Sequence, residues 1–449
     1  MFKKIEIWIV GLIVIFFILL ILFVSGVLRD AYLGKNRTPE FLRNNFVTIA
    51  EIPKNIYHVI NHLIGDNINS PPKLQKHKDK KRFEEFVPYK RNALLVLPRY
   101  DHSLSRSVVD IVDLNNFEVI HTYKHDIAEM NKKVTNTKEF PRIKIDHSPI
   151  RFIYQHPLLL SDFSIVSNSN YSIEFKIDFC SNLKWINDEE IFHHSNMLDH
   201  EGNIWVAGQY NPYSKLVAKY KNKNRDFVDD SIIKINTDGK ILQKKSVTEI
   251  LIENKLATQF IFESFSSDPI HLNDIEPALN DSKYWKKGDL FLSLPILSKI
   301  LHYRPKTNKI INYITGPFAE QHDVDIISDK EISIFNNNNF VVDNEQSEVV
   351  IYNFETKKFR TLFNDQLKKN KFKTTTEGLS HIFKDGSLMV EEQNHGRIIL
   401  FNNQGEKEWV FVNKDKNGDI GHISWSRIIE DEIFIEKFKS LVDSKKCTN

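Results

Sequence analysis

The sequence predicts an all-β fold, a β-propeller that is most simply six-bladed, preceded by an N-terminal transmembrane helix. The first observation is a repeated motif in which a histidine or an acid precedes an apolar stretch, a polar turn and a β-rich run. A degenerate repeat of strand, tight turn and strand is typical of propeller blades. The second observation is the uncharged run 7–28, which has roughly the 20 residues that cross a bilayer as a helix.

The repeated motif recurs through most of the chain. Residues 194–206 show it clearly, and residues 232–242 form a predicted hairpin around an Asp-Gly pair, the strongest short hairpin signal. With the first hairpins counted, about six blades fit, within the usual range of four to eight. Insertions in loops would explain the uneven spacing of the motif starts, which are His156, His194, His271, His322 and Glu377.

Composition narrows the class of protein. The chain has 449 residues, of which 41% are hydrophobic, so it can bury a large core. A net charge of +2 argues against nucleic acid as a partner, because nucleic-acid binding normally needs a basic patch. The basic run 76–82 is interpreted as a solvated linker. The predicted domains are an anchor at 1–28, a juxtamembrane helix and polar linker at 29–88, a propeller at 89–440 and a tail at 441–449.

The N-terminal run is interpreted as an uncleaved, single-pass anchor. Residues 24–27 make a poor cleavage site, so a cleaved signal is the weaker alternative. Positive charge does not decide the topology, because lysines precede the run and basic residues also follow it. We expect an inner-membrane protein whose propeller faces the periplasm, an orientation that rests mainly on the family resemblance described below.

Two further features lie outside the repeats. Residues 53–64 are predicted to form a short amphipathic helix, followed by a polar linker that contains Pro71 and Pro72. The two cysteines, Cys180 and Cys447, lack zinc-binding spacing. A disulfide between them and two unrelated thiols are both open, because the sequence does not give their distance.

The polar residues that could take part in catalysis or binding lie in a few segments of the repeats. A neutral imidazole is a good nucleophile near pH 7, and amides and cations stabilise transferred oxyanions. The segments are 192–196, 271–277 with 287–293, 321–323 with 335–338, and 377–378 with 391–397.

Together these segments resemble the bacterial arylsulfotransferase family, whose members need no nucleotide sulfate. The resemblance covers residues 92–429, and its more specific parts are the His-x-Asn and Gln-His-Asp segments. It implies a six-bladed propeller in an exported protein that moves a sulfuryl group from a phenolic sulfate ester to a phenol through a sulfated histidine, without a cofactor. It also implies that His322 is the nucleophile, that His271 and Asn273 form the His-x-Asn pair, and that His194 is a further active-site histidine.

One position departs from the family pattern. Pro295 stands where the resemblance implies an active-site arginine, and proline cannot neutralise an anion. Arg397 and Lys299 are candidates to supply the missing charge, and we predict Asn273 and Arg397 as substrate-binding residues. Another histidine is expected to protonate the leaving phenolate.

Two alternatives remain at this stage. One is a non-catalytic propeller that binds a glycan, an anion or a partner protein. The other is a metal-dependent enzyme in which His194, His271 and His322 converge on a metal, although the favoured function needs no metal. Strand alternation predicts that His193 points away from His194, and residues 425–427 are interpreted as packing at the end of a strand.

Overall fold

The structure is a computed structural model in which the chain divides into two compact units. One unit consists of residues 1–68, 213–228 and 258–269, and the other of residues 69–212, 229–257 and 270–449. The described residues are 6–32, 37–53, 56, 71–88, 91–140, 143, 148–220, 227–258, 268–339, 346–445 and 447.

The first unit is helical where it is described. Its longest helix is long and apolar enough to cross a membrane, and a signal sequence would have the same properties. The Tyr32 hydroxyl donates to the Glu51 carboxylate at 2.9 Å within this unit. The helix predicted at 53–64 falls almost wholly outside the described residues. The helices of this unit are α1 (Ile7–Tyr32), α2 (Glu40–Ala50) and α4 (Lys215–Tyr220).

The second unit consists of antiparallel sheets, three of which have four strands. The first contains, in hydrogen-bonded order, β24 (Arg427–Ile429), β2 (Leu94–Asp101), β3 (Arg106–Asp113) and β4 (Glu118–Tyr123). The next contains β12 (Asp274–Pro277), β13 (Leu290–Leu294), β14 (Lys299–Arg304) and β15 (Lys309–Ile314). The third contains β16 (His322–Ile326), β17 (Glu331–Asn336), β18 (Glu348–Asn353) and β19 (Lys358–Leu362).

The remaining two sheets are larger. The seven-stranded sheet contains β5 (Gln155–Leu159), β6 (Ile165–Asn168), β7 (Ser172–Ile177), β8 (Leu183–Leu198), β9 (Ile204–Gln209), β10 (Asp230–Ile235) and β11 (Ile241–Ser246). The five-stranded sheet contains β1 (Phe83–Glu85), β23 (Lys407–Val412), β22 (Arg397–Phe401), β21 (Leu388–Glu392) and β20 (Leu379–Ile382). The all-β, propeller-like arrangement is therefore confirmed, whereas the count of six blades stays a prediction.

Apolar side chains fill the space between neighbouring sheets. One cluster joins Leu94 and Val109 of the first sheet to Phe175 of the seven-stranded sheet. Another joins Phe291 to Ile334 across two four-stranded sheets. A single β-sheet cannot bury both of its faces, so stacking the sheets gives each one a core.

The C-terminal strand of the second unit completes the sheet that contains β2. Strand β24, near the C-terminus, pairs with β2, with Leu94 opposite Ile429. The helix α7 (Glu432–Ser444) follows it and buries Ile435 and Phe438. Of the two possibilities left open for the cysteines, the structure has the disulfide between Cys180 and Cys447, which connects the end of the chain to the loop after β7. The shorter helices of this unit are α3 (Ile127–Asn131), α5 (Val247–Glu253) and α6 (Asn364–Lys369).

Residues 71–88 form a largely exposed strap that is attached to the five-stranded sheet. Strand β1 pairs with β23, and Leu74 donates its N–H to the Ile420 carbonyl at 2.9 Å. The fully buried Glu392 carboxylate lies 2.5 Å from the Lys76 ammonium, 2.8 Å from His77 Nε2 and 2.7 Å from Arg397 Nε. The basic run is solvated along most of its length, as expected, and His77 is its one buried residue. What the sequence did not predict is that Lys76 and His77 pair with a buried acid.

We predict that Glu392→Gln lowers the free energy of unfolding by about 3–5 kcal/mol, because it leaves buried cations without their counter-ion. The surrounding cations lower the pKa of Glu392 to about 2, from an ordinary value of 4.5. Its contribution to stability is therefore present above about pH 4.5 and is lost as the pH falls through about 2. Denaturant unfolding at several pH values measures the difference between wild type and variant.

The matched control for Glu392→Gln is Glu355→Gln. Glu355 forms an exposed ion pair with Lys330, and surface pairs contribute little to stability. Equal destabilisation by the two substitutions would contradict the strap assignment.

Candidate active site

Three imidazoles surround the indole of Trp425, and a fourth packs against one of them. The ring centroids of His156, His194 and His322 lie 5.3, 5.9 and 6.1 Å from that of Trp425. The His271 ring lies 5.2 Å from His194. The three histidines predicted as catalytic are therefore brought together, and a fourth histidine and a tryptophan join them.

A residue with left-handed backbone geometry, near the start of five strands and inside β8, changes the direction of the chain at these side chains. Residues with positive φ usually occur in turns and bulges, where they bend a strand and redirect its side chains. The pairing register shifts at the same places in β5, β8 and β16. The positive-φ residues are His156, His194, His271, Asp323, Glu377 and Trp425.

The bend at His194 also overturns one sequence prediction. Strict alternation would place the His193 and His194 rings on opposite faces of the strand. Instead, the Nδ1 atoms of the two rings lie 2.7 Å apart, because His194 has a φ of 61°. The prediction that the two rings point in opposite directions is therefore wrong.

The hydrogen bonds around His322 define its tautomer. Its Nδ1 lies 2.7 Å from Asn337 Oδ1 and 3.1 Å from the Glu320 carbonyl. The Asn337 amide nitrogen donates to the carbonyls of Glu377 and Thr374, so its oxygen faces the ring. Nδ1 therefore carries the proton, and the Nε2 lone pair accepts the Glu377 N–H at 3.2 Å.

Burial keeps these imidazoles neutral. It lowers the pKa of His322 to about 4, and His271 nearby lowers it further. Burial also holds the pKa of His194 well below its usual value, with contributions from its histidine neighbours. The pKa of His156 is well below its usual value through burial and the charge of Arg427. Near neutral pH these rings carry lone pairs rather than positive charge.

A cavity of about 160 Å³ is lined by residues that hydrogen-bond to His194 and His322 rather than by the four imidazoles themselves. Its wall includes Gln155, whose side-chain oxygen accepts the His194 N–H at 3.1 Å, and Glu377, which contacts His322. Charged and titratable groups on the wall are Arg151, Glu377 and His422, and the other lining residues are Ile153, Gln155, Ser169, Asn170, Gln393, Ile423 and Ser424.

The two predicted substrate-binding residues occupy other places. The Asn273 amide donates to the Gln321 carbonyl at 3.0 Å, so it contacts the residue before His322. Arg397 donates to Glu392 and to the Asn370 carbonyl in the ion cluster of the strap, away from the cavity wall. A buried carboxylate holds the Arg397 guanidinium, and the role of Arg397 in binding substrate stays a prediction. The role of Asn273 in binding substrate stays a prediction.

The position of the missing arginine is a tight turn. Pro295 begins the turn after β13, and its carbonyl accepts the Ser298 N–H at 2.8 Å. Lys299, the other candidate, contributes its backbone carbonyl to Gln321, and its ammonium lies 5.9 Å from the Tyr313 ring centroid. Within the described part of the chain, Arg151 is the arginine that lines the cavity.

Several residues of the site escaped sequence reasoning. One of them is Trp425, which was interpreted as packing at the end of a strand. Its backbone N–H donates to the Glu391 carboxylate at 2.8 Å, and its ring lies among the histidines. His156 and Glu377 begin copies of the repeated motif, which was the available signal for them. Asn337 lies in the segment 335–338 that the sequence singled out, but no role was assigned to it, and Arg151, in the segment before β5, had no distinguishing pattern.

No group of three His, Cys, Asp or Glu side chains in the described ranges is arranged to hold a metal ion. The histidines instead contact one another and Trp425 through their ring edges and faces.

Comparisons with solved structures give only distant similarity. A Bacteroides caccae protein of unknown function is 12% identical, with a TM-score of 0.48, over 76% of this chain and 100% of that one. Virginiamycin B lyase from Staphylococcus aureus is 10% identical, with a TM-score of 0.33, over 57% and 69% of the two chains. Hydrazine synthase from Kuenenia stuttgartiensis is 11% identical, with a TM-score of 0.39, over 66% and 71%. These scores are too low to carry a conclusion.

Comparison with families is more informative. No curated protein matches the chain significantly. The model of the family described as "Arylsulfotransferase (ASST)" matches residues 163–414, more than half of the chain. The matched range contains three of the four clustered histidines, His194, His271 and His322, together with Asn337. This chain belongs to the arylsulfotransferase family.

Proposed function

We propose that the protein transfers a sulfuryl group from a phenolic sulfate ester to a phenol through Nε2 of His322. In the first step a bond forms between Nε2 and sulfur while the bond between sulfur and the phenolic oxygen breaks. In the second step the oxygen of the acceptor phenol attacks sulfur and His322 leaves. The single observation that carries this proposal is the fixed tautomer of His322, whose Nε2 lone pair accepts the N–H of Glu377, a residue of the cavity wall. That hydrogen bond opens when Nε2 attacks.

Asn337 supports this role as a positioning residue. A nucleophilic imidazole becomes positively charged when its second nitrogen is sulfated, and the Nδ1 proton then becomes a stronger donor. Asn337 Oδ1 is 2.7 Å from Nδ1, and the Glu377 and Thr374 carbonyls keep that amide oriented. The arrangement is analogous to a base held by a third group in other nucleophilic sites.

Arg151 is the proposed cation for the sulfate oxygens. A sulfate ester carries a negative charge that must be stabilised as the sulfuryl group moves. Pro295 supplies no charge, whereas Arg151 lines the cavity beside the amides of Gln155 and Gln393. A guanidinium with neighbouring amide donors suits the several oxygens of a sulfate group.

The size of the cavity supports a small substrate. Its volume of about 160 Å³ is close to that of a cavity known to hold one benzene molecule. We therefore propose single-ring aryl sulfates and phenols as donor and acceptor. The ring of Trp425 at the edge of the imidazole cluster offers a surface for an aromatic group.

We further propose six blades. Strand β8 pairs with β7 up to Phe192 and with β9 from Phe192 onwards, so the seven-stranded sheet divides there into two units. The six positive-φ residues described above then begin one blade each. Six repetitions of the same bend support the count better than the sheet boundaries do.

The proposed location is the periplasmic face of the inner membrane. In this proposal residues 1–28, which include most of α1, are a single-pass anchor, and the propeller at 89–440 faces the periplasm. The disulfide between Cys180 and Cys447 supports an exported body, because structural disulfides persist in oxidising compartments.

A second candidate is a non-catalytic propeller that binds an anion in the same cavity. The proline at position 295, where the family resemblance implies an arginine, favours it. The two functions differ in covalent chemistry. A binder does not acquire a sulfuryl group on His322, and intact-protein mass spectrometry after exposure to 4-nitrophenyl sulfate separates the two.

We predict that His322→Ala abolishes the release of 4-nitrophenol from 4-nitrophenyl sulfate in the presence of phenol. The variant lacks the nucleophile, so both the transfer and the sulfated intermediate are lost. Absorbance of 4-nitrophenol and the mass of the intact protein are the measurements. His200→Ala, at an exposed turn, is the control. Wild-type activity in His322→Ala would contradict the proposed nucleophile.

We predict that Asn337→Ala lowers kcat by about 10- to 100-fold, the effect of losing one hydrogen bond to a charged group. Steady-state kinetics with 4-nitrophenyl sulfate measure it. KM is expected to change little, because Asn337 acts on His322 rather than on the substrate. A rise in KM with unchanged kcat would contradict a positioning role.

We predict that Arg151→Ala lowers kcat/KM for 4-nitrophenyl sulfate by about 10- to 100-fold, because a charge-assisted contact to the sulfate is lost. Arg151→Lys should retain part of the activity. The control is Arg360→Ala, which removes a surface guanidinium paired with Glu331. Equal kcat/KM values in Arg151→Ala and wild type would exclude Arg151 from substrate binding.

A further inference from the structure

We propose that the Glu377 side chain is the proton donor and acceptor of this site. It protonates the oxygen of the leaving phenol and later takes the proton of the acceptor phenol. This inference rests on the proposed sulfuryl transfer and adds a catalytic residue to it. It assigns to a carboxyl group the proton transfer that was expected of a second histidine.

The backbone of Glu377 is locked onto the nucleophile. Its N–H donates to His322 Nε2 at 3.2 Å, and its carbonyl accepts from the Asn337 amide at 2.8 Å. Glu377 has a φ of 56°, and Gly378 follows with a φ of 95°. Glu377 is therefore held beside the attacking nitrogen, and it is one of the residues that line the cavity in which the substrate would lie.

The charges around Glu377 leave both of its protonation states accessible. Burial, with a smaller contribution from the nearby Glu391 and against the effect of His271, raises the pKa of Glu377 to about 7. Arg151 and His422 are the other charged or titratable groups on the same cavity wall. A group with a pKa near the working pH is best suited to give and take a proton.

The neighbouring imidazoles are poor proton donors by comparison. Burial holds the pKa of His194 and of His156 well below its usual value, so neither ring carries an extra proton near neutral pH. Glu391, another buried carboxylate of this region, already accepts several hydrogen bonds from the protein. It accepts from the Trp425 N–H and from both the N–H and the hydroxyl of Ser426.

The two steps balance with Glu377 included. In the first, Nε2 of His322 bonds to sulfur, the S–O bond of the ester breaks, and the carboxyl proton moves to the departing oxygen. Neutral phenol, a sulfated imidazolium and a Glu377 carboxylate result. In the second, the acceptor phenol gives its proton to that carboxylate while its oxygen bonds to sulfur. The N–S bond breaks, and His322 and the protonated Glu377 are restored.

The dependence of the rate on the leaving group tests this assignment. Phenyl sulfate releases a basic phenolate that needs protonation, whereas 4-nitrophenyl sulfate releases a much less basic one. Glu377→Gln is expected to slow sulfation of the enzyme by about 100-fold or more with phenyl sulfate and by much less with 4-nitrophenyl sulfate. Glu377→Asp should recover part of the loss with phenyl sulfate.

The matched control is Glu174→Gln. Glu174 is fully buried, and burial raises its pKa to about 8, but it pairs with Asn168 and is not on the cavity wall. Its replacement should leave the ratio of the two donors unchanged. Activity of Glu377→Gln on 4-nitrophenyl sulfate also shows that this variant folds.

The pH dependence of the separate steps provides the second measurement. Sulfation by phenyl sulfate needs the protonated carboxyl, so its rate should fall as the pH rises through about 7, the raised pKa of Glu377. Transfer to phenol needs the carboxylate, so its rate should rise over the same range. Rapid-quench mass spectrometry of the sulfated enzyme gives both rates, and both slopes should disappear in Glu377→Gln.

The outcomes separate this inference from the proposed function. If wild type acquires no sulfuryl group from either donor, the proposed transfer is wrong and the inference falls with it. If wild type is sulfated on His322 but Glu377→Gln slows both donors equally, only the role of Glu377 is wrong. If Glu377→Gln slows sulfation by phenyl sulfate alone and the two pH slopes disappear, both the proposed transfer and the role of Glu377 are supported.

Discussion

The site depends on buried carboxylates that accept hydrogen bonds from the backbone of the next sheet. A left-handed residue outside glycine costs about 1–3 kcal/mol and persists only where its surroundings hold it. Each of these carboxylates holds a strand near one of the bends. The pairs are Asp230 with the Leu272 N–H, Asp274 with the Val324 N–H, Asp323 with the Ser380 N–H and Glu391 with the Trp425 N–H.

These contacts explain why so many acids are buried near the centre without forming a metal site. Asp274 and Asp323 are committed to backbone donors, and burial raises the pKa of both. Arg427, whose guanidinium donates to the carbonyls of Pro157 and Asn196, adds the compensating positive charge. The same network fixes the starts of the strands that present the imidazoles, so structure and site share one set of hydrogen bonds.

Neutrality of the imidazole cluster follows from this packing. Rings that face one another and an indole have little water around them, which disfavours protonation. The consequence is a division of labour in the proposed reaction: His322 supplies a lone pair, Arg151 supplies charge, and Glu377 supplies a proton. A histidine could not easily serve as both nucleophile and acid in such surroundings.

Much of the fold was predictable from sequence, because strands, turns and an apolar helix leave local patterns. The hairpin at 232–242, the apolar α1 and the recurrence of His194, His271 and His322 were all visible in this way. The attachment of the strap at 71–88 was not, because no local pattern shows that Lys76 and His77 meet the buried Glu392. The ion pair of Arg397 with Glu392 was hidden for the same reason.

The sequence by itself determined the propeller-like class, the apolar N-terminus and which histidines begin the repeated motif, since these depend on spacing along the chain. Only the tertiary structure decided that His156 and Trp425 join the cluster, that Asn337 sets the tautomer of His322, and that Cys180 meets Cys447. The period of two in a strand assigns a side chain to a face, but a bend with positive φ changes that direction. Distances between sheets also depend on residues far apart in the chain, which no local pattern records.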